Sequence, residues 1–239
     1  YAAMLVSFAV GMLAGLLTGV FHTFMGIPAI LSGILTQLIL WSVNLKIMGK
    51  SNIGLSARTF NVLVTQLKTN ATLIVLAIAS ILLIAALYWF FGTEFGASIR
   101  ATGSNINMSR AQGINTGLTT VFALVLSNGI VAFAGALLAQ YQGAADINMG
   151  KGAIVIGLAA VIIGEAVFSK IARNFAVRLF AVIVGGIIYY IVYQVIIFLG
   201  IDTDLLKMLS ALVVAVFLGV PYVKKHYFAS AVKGGKNNA

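Results

Sequence analysis

The segment from Glu94 to Gly117, EFGASIRATGSNINMSRAQGINTG, concentrates the polar chemistry of an otherwise apolar sequence. Two arginines, three asparagines and three serines lie within this polar segment, so it can bind acidic groups or lipid phosphates. It holds no paired carboxylates and no histidine, and the whole chain contains no cysteine. The residues therefore favour recognition of another molecule over acid–base, thiol or metal chemistry.

No stretch of the chain matches a nucleotide-binding or hydrolytic motif. The nearest approach to G-x-x-x-x-G-K-[ST] is GAADINMGKGA, in which six residues separate the first two glycines and Lys151 is followed by glycine. G-x-S-x-G and HExxH are absent, and the sequence has only two histidines and five acidic residues. The sequence predicts no catalytic residue, metal ligand or cofactor in this chain. If the protein moves a molecule uphill, the energy must come from a partner or an ion gradient.

Composition predicts that these polar residues are positioned by membrane-spanning helices. The 239 residues are 61% hydrophobic and 8% charged, with a mean hydropathy of +1.08, whereas soluble domains carry roughly 25% charged residues. The predicted fold is all-α and polytopic, with about seven spans and a short cytoplasmic helix. The predicted spans are 2–21, 28–45, 71–91, 117–138, 152–168, 179–200 and 205–221.

The lysines and arginines next to the spans predict the orientation in the membrane. With the polar segment in the cytoplasm, nine basic residues fall inside and six outside, which favours this orientation. The 46–70 loop argues against it, because four of the six outside residues lie in that one loop. The net charge is +10. Most of the basic residues lie next to the spans, so we expect them to face anionic lipid and not to bind nucleic acid. Residues 1–221 are predicted to form the membrane domain, with the cytoplasmic loop 94–117 within it, and 222–239 to form a basic cytoplasmic tail. The start at Tyr1 predicts that N-terminal spans are missing.

Glycines in the spans predict close helix packing. Gly11, Gly15 and Gly19 recur every four residues and place small residues along one face of the first span. Gly185 and Gly186 indicate a close crossing or a local break in the sixth span.

The polar segment itself predicts two short helices. Ser104 or Asn105 can cap the second helix, and Gly113 can end it. Ser109 and Ala111 are small enough for another protein to approach closely, and an arginine could pair with its acidic groups. Spacing alone leaves docking and an ordinary solvated loop equally open.

The polar segment resembles the cytoplasmic loop of bacterial ABC importer permeases of the family that serves ribose-type sugars, branched-chain amino acids and nucleosides. The family pattern is a glycine, a basic residue, Ala-x-Gly-x-Asn, a small-residue helix and a Gly-Ile/Val pair. The resemblance implies that the loop holds a coupling helix, which sits in a groove of a separate ATPase. The residues implied in coupling are Gly96, Arg100, Ala101, Gly103, Asn105, Met108, Ser109, Arg110, Ala111, Gly113 and Ile114.

Two further stretches extend the resemblance over most of the chain. Residues 126–168 resemble the family's small-residue span, outer loop and following span, and 27–55 resemble a subgroup encoded with lipoprotein-type binding proteins, some for tryptophan or tyrosine. Glu165 departs from the pattern, because many members have a second glycine there.

Polar side chains within the spans are candidates for a solute pathway, because such groups face inward from lipid. These candidates are Gln37, Ser42, Asn44, Ser127, Asn128, Gln140, Tyr141, Gln142, Asp146, Tyr189, Tyr190, Tyr193 and Gln194. Asn128 is the strongest, since Ala132 and Ala136 follow it in a small-residue span. Each could instead bond a neighbouring helix or lie at the membrane interface.

Taken with the resemblance, these features predict the permease subunit of an importer in the bacterial inner membrane. The implied partners are an ATPase dimer that holds ATP and magnesium, an extracytoplasmic binding protein and a second permease copy. The implied solute is small and polar, with an aromatic amino acid favoured. The alternative is an ion-driven secondary transporter, which should show ionisable residues in mid-membrane or two related broken helices.

Overall fold

The computed structural model describes residues 2–55, 62–64, 69–150, 152–168 and 174–199, with 208 and 215 as isolated positions. The chain divides into two compact units, Tyr1–Gly150 and Lys151–Ala239. The helices of the described residues are α1 (Ala2–Thr23), α2 (Ala29–Met48), α3 (Thr69–Gly92), α4 (Glu94–Ser104), α5 (Ile106–Ala111), α6 (Thr116–Gln142), α7 (Ala153–Phe168) and α8 (Phe175–Phe198). Two strands, β1 (Asn52–Gly54) and β2 (Ala144–Asp146), complete the set.

Five of these helices are long and apolar enough to cross a membrane, namely α1, α2, α3, α6 and α8. They coincide with five of the predicted spans, because each apolar run approaches the roughly 20 residues that a bilayer requires. The helix α7 is apolar but shorter, at 16 residues. The predicted span 205–221 and the basic tail 222–239 lie outside the described residues, apart from the two isolated positions.

In the first unit, α1 and α6 pack antiparallel along a glycine face. A Cβ added at Gly15 would lie 2.7 Å from the Cα of Val125, and one added at Gly19 would lie 3.1 Å from the Cα of Val121. Near the other end of α1, Ser7 Oγ donates to the carbonyl oxygen of Ala132 at 2.9 Å. The predicted close packing of the glycine face is confirmed, since side chains at these positions would collide with backbone.

The chain turns from α1 into α2 through a glycine in the left-handed backbone conformation and a proline. Gly26 has φ +67°, and Pro28 precedes the first helical residue, where its missing N–H costs no helical hydrogen bond. Within the helices, Thr18 Oγ1 of α1 donates to Thr36 Oγ1 of α2 at 2.9 Å. A buried hydroxyl pair therefore joins these two helices.

The two strands form a small antiparallel sheet in which Asn52 pairs with Asp146 and Gly54 with Ala144. The described residues are mainly helical, as the all-α prediction expects. The small sheet was not predicted, because strands of three residues show too little alternation to be recognised in sequence. The sheet lies beyond the last residue of α6, whereas the short helices α4 and α5 of the polar segment precede the first residue of α6. Since α6 has 27 residues, about 40 Å of helix separates the two features.

In the second unit, α7 packs on α8 around Ala159, Ile163 and Tyr189. A Cβ added at Gly185 would lie 2.6 Å from the amide nitrogen of Gly164, so the backbones nearly touch. Of the two readings of Gly185 and Gly186, the close crossing is confirmed, because α8 continues unbroken from Phe175 to Phe198.

Candidate functional site

The helix α4 is fixed to the end of α3 by a glycine and a cap. Thr93 Oγ1 accepts a hydrogen bond from the amide of Gly96 at 3.2 Å, which caps the first turn. A Cβ at Gly96 would lie 2.5 Å from the Cα of Phe91. On the α6 side, the ring of Phe95 meets that of Phe122 edge to face, with centroids 5.2 Å apart. The polar segment is therefore anchored to two membrane helices.

Asn105 forms the joint between α4 and α5. Its extended backbone, with φ −154°, ends one helix and begins the next. The Asn105 amide donates to the carbonyl oxygen of Ala101 at 2.9 Å, and its side-chain Oδ1 accepts from the amide of Met108 at 3.0 Å. This confirms Asn105, of the two predicted residues, as the N-cap.

A left-handed glycine ends α5, as the sequence predicts. Gly113 has φ +80°, and its amide donates to the carbonyl oxygen of Arg110 at 3.0 Å. The next amide, of Ile114, donates to the carbonyl oxygen of Ser109 at 3.0 Å. These two bonds form a Schellman motif, which fixes the direction in which the chain leaves the helix.

The inner side of α5 faces the start of α6. Ser109 is fully buried, and its hydroxyl donates to the carbonyl oxygen of Asn105 at 3.0 Å. Arg110 Nε donates to Thr116 Oγ1 at 3.0 Å, which ties the guanidinium to the first residue of α6. The two short helices are thus held by hydrogen bonds at both ends and along one side.

The outer side of α5 carries apolar and cationic groups together. Ile106 and Met108 are 49% and 47% exposed, and Arg110, Ala111 and Gln112 are also exposed. A helix of six residues is far too short to span a bilayer. The site is therefore a rigidly supported surface of mixed chemistry, suited to contact with a protein.

A second threonine pair of the first unit joins α4 to α6. Thr102 Oγ1 and Thr119 Oγ1 lie 3.1 Å apart, and each side chain is 5% exposed. This contact links the polar segment to a helix long enough to cross the membrane.

The family comparison agrees with this architecture of long apolar helices and a short polar insertion. The family model described as branched-chain amino acid transport system / permease component matches residues 1–220. The chain belongs to this family. The ABC importer resemblance of the sequence is thereby confirmed, and the chain is a multi-pass transport permease for small solutes.

The permease is also similar to several curated proteins. It is 38% identical over 219 residues to a tyrosine transport system permease protein of Clostridioides difficile, covering 90% of this chain and 71% of that protein. An uncharacterised protein of Rickettsia prowazekii is 32% identical over 201 residues, with 83% and 70% covered. The autoinducer 2 import system permease protein LsrC of Yersinia pestis is 32% identical over 170 residues, with 68% and 46% covered. No solved structure gives a significant match.

The predicted coupling residues of the permease divide into a buried and an exposed set. Gly96 and Ser109 are buried, whereas Ala101 and Ile114 are partly exposed. Ser109 cannot offer the predicted close approach to another protein, because it is buried and its hydroxyl donates to the carbonyl oxygen of Asn105. The exposed members are Arg100, Gly103, Asn105, Met108, Arg110, Ala111 and Gly113. Their role in docking stays a prediction.

The predicted pathway residues of the permease that the structure describes belong to both units, and several of them have hydrogen-bond partners within the protein. Asn128 Nδ2 donates to the carbonyl oxygen of Leu124 at 2.9 Å, and Ser127 Oγ donates to the same oxygen at 3.1 Å. Gln140 Oε1 accepts from the amide of Leu63 at 3.0 Å, so this side chain has a structural role. Of the other candidates, Asn44 in α2 and Tyr141 in α6 are exposed, and Tyr193 lies in α8 of the second unit.

Sequence reasoning missed the threonines. Thr116 and Thr119 are buried, as is Thr102, and all three lie where the polar segment meets α6. The signal was the sequence TGLTT at the start of the fourth predicted span. Among the described residues, no group of three or more His, Asp or Glu side chains could hold a metal ion.

Proposed function

We propose that this permease is the membrane-spanning subunit of an ATP-driven importer in the bacterial cytoplasmic membrane, and that α5 is where its ATPase docks. The observation that carries the proposal is the exposed surface of α5, which combines Ile106, Met108 and Arg110 on a helix tied to α6. Protein contact surfaces are enriched in methionine and arginine.

The support beneath α5 suits a helix that transmits force. The caps at Asn105 and Gly113 fix both of its ends, and the Arg110–Thr116 bond fixes it to α6. A load applied to α5 would therefore move α6 and would not simply unwind a loop. ATP and magnesium belong to the partner, two of whose subunits would serve two permease copies. A homodimer is the simplest form of this assembly.

The opposite end of α6 supports a second proposed contact. There the β1–β2 sheet is tied to the helix end, since the amide of Leu55 donates to the carbonyl oxygen of Gly143 at 2.7 Å. With the polar segment in the cytoplasm, this sheet lies outside, where an extracytoplasmic binding protein would deliver the solute. The C-terminus would be cytoplasmic in the same orientation. Solute would pass between the two permeases as they alternate between outward- and inward-facing forms.

An aromatic amino acid is the favoured solute. The support is the similarity to the tyrosine transport system permease, which covers 90% of this chain. The chain is also similar to a permease named for the import of autoinducer 2, which is not an amino acid. Another amino acid, a sugar or a nucleoside would therefore be tested beside tyrosine in uptake assays.

Co-purification tests the proposal directly. The tagged permease is isolated from its native cells in mild detergent, and its partners are identified by mass spectrometry. An ATPase is expected with the wild type, and at least tenfold less with Ala111→Trp, which places a bulky ring on the outer side of α5. Arg110→Glu should have the same effect, since it reverses the exposed charge and also removes the bond to Thr116.

Lys50→Glu supplies the matched control, since it reverses one exposed charge beyond the other end of the bundle. It should retain the ATPase. A permease that purifies alone, yet moves tyrosine into vesicles with an ion gradient and no ATP, would instead establish the secondary transporter.

A further inference from the structure

The hydrogen-bond balance at the contact between α4 and α6 gives two threonine hydroxyls more acceptors within reach than they have protons. Thr102 Oγ1 lies 2.8 Å from the carbonyl oxygen of Ser98 in its own helix and 3.1 Å from Thr119 Oγ1. Thr119 Oγ1 in turn lies 3.1 Å from the carbonyl oxygen of Thr116 in its own helix. Each hydroxyl has a single proton. One threonine therefore donates across the helix contact while the other donates within its own helix.

This balance makes the contact reversible. If α4 moves away from α6, the hydroxyl that donated across the contact turns to the carbonyl oxygen of its own helix, which is already within reach. No buried proton is left without an acceptor, so the usual penalty for breaking a buried hydrogen bond is avoided. A glycine contact between backbones has no such second arrangement.

We propose that Thr102 and Thr119 form a reversible hydroxyl latch that holds α4 against α6 in one transport state and releases α4 in the other, while α5 stays tied to α6. This inference rests on the proposed function, because the load that opens the latch comes from an ATPase docked on α5. Thr102 and Thr119 are positioning residues and need not contact the solute.

A second pair in the first unit has the same arrangement. Thr18 Oγ1 lies 2.9 Å from Thr36 Oγ1, and both have a carbonyl oxygen of their own helix at 3.0 Å, from Ala14 and Ser32 respectively. Both pairs join a neighbour to the glycine-packed α1–α6 pair. The recurrence supports the latch as a device for moving helices against that pair.

Disulfide trapping tests the latch in the complete complex of permease and ATPase. The chain contains no cysteine, so Thr102→Cys/Thr119→Cys introduces the only two, at hydroxyls 3.1 Å apart. The complex in lipid vesicles is oxidised without nucleotide and again after trapping with ATP and vanadate, and the linked peptide is quantified by mass spectrometry. The yields of the two states are expected to differ at least threefold. Equal yields would overturn the latch.

Thr102→Cys/Thr120→Cys is the matched control. Thr120 follows Thr119 directly and bonds the carbonyl oxygen of Thr116 in its own helix at 2.8 Å. This control pair should give little linked peptide in either state. A link as abundant as that of the test pair would overturn the latch, since it would show that collisions and not the paired geometry produce the disulfide.

A second measurement separates positioning from folding. Thr102→Val removes the hydroxyl at nearly constant volume, and the reconstituted complex is expected to hydrolyse ATP at least twofold faster in the absence of solute. Thr102→Ser, which restores the hydroxyl, should return the rate to that of the wild type. An unchanged rate in the valine variant would overturn the latch while leaving the proposed function intact. A wild-type chain that binds no ATPase would overturn both.

Discussion

The helix α6 meets its two neighbours α1 and α4 in physically different ways. Against α1 it packs backbone to backbone, since a Cβ at Gly15 would lie 2.7 Å from the Cα of Val125. Against α4 it is joined by the hydroxyls of Thr102 and Thr119 and by the rings of Phe95 and Phe122. The first interface is closest where glycine lets the two backbones meet, whereas these contacts of the second are made by side chains that can rotate.

This difference assigns the two interfaces different mechanical roles. Backbone contacts at glycine have one close-packed arrangement, because displacement along the helix brings larger side chains against the groove. Hydroxyl pairs can exchange acceptors with little change in free energy. The permease is therefore best described as a stiff α1–α6 pair on which α2 and α4 are mounted through adjustable contacts.

Gly15→Ala is the change expected to affect the stiff interface most. The added methyl group would collide with Leu124 and Val125 backbone atoms, and overpacking of this kind costs about 1–3 kcal/mol. We expect a lower thermal midpoint in detergent and less folded protein in the membrane.

Gly135→Ala in α6 is the control, since a Cβ there meets nothing within 4 Å. Alanine favours helix over glycine by about 1 kcal/mol, so this variant should be as stable as the wild type or more so. Equal destabilisation of both variants would remove the proposed distinction between the interfaces.

The stiff interface was predictable from sequence and the adjustable one was not. Apolar runs and a four-residue glycine repeat are local signals, because helical geometry and bilayer thickness fix their spacing. Thr102 and Thr119 are 17 residues apart and come from different helices. Their pairing depends on how the chain folds back at Asn105 and Gly113 together, which no single local pattern encodes. The β1–β2 pairing, between residues 52–54 and 144–146, is a more distant case of the same difficulty.

Asn105→Ala tests a joint that belongs to neither interface. Loss of the Asn105 side-chain acceptor leaves the amide of Met108 without its cap, at a cost of about 1 kcal/mol in N-cap substitutions. We expect faster hydrogen exchange in residues 106–112 and weaker ATPase retention, while the thermal midpoint of the permease changes little. Asn107→Ala alters an exposed asparagine of the same helix and should leave exchange unchanged. If the two variants exchange alike, the cap does not hold α5 in place.

Only those features of the candidate site that depend on single residues were predictable from sequence. Asn105 and Gly113 were visible because capping preferences are properties of single residues. Burial of Ser109 was not visible, since a six-residue helix gives too few positions to define an inner face. The same holds for Gln140, whose side chain reaches Leu63 across a gap of 77 residues. Sequence placed the polar segment, and the tertiary contacts decided which of its residues remain exposed.

Thr18→Val should produce the smallest effect and gives the finest test of the comparison. It removes the hydrogen bond to Thr36, but the hydroxyl of Thr36 keeps the carbonyl oxygen of Ser32 at 3.0 Å, so no buried proton is stranded. Interhelical hydrogen bonds in membrane proteins average about 0.6 kcal/mol, and we expect a loss of about that size. The measurement is the thermal midpoint in detergent relative to Thr120→Val, which removes a hydroxyl bonded within its own helix. A loss of stability several times larger would mean that α1 holds α2 as firmly as it holds α6. The hydroxyl contacts would then be structural, and the division into stiff and adjustable interfaces would fail.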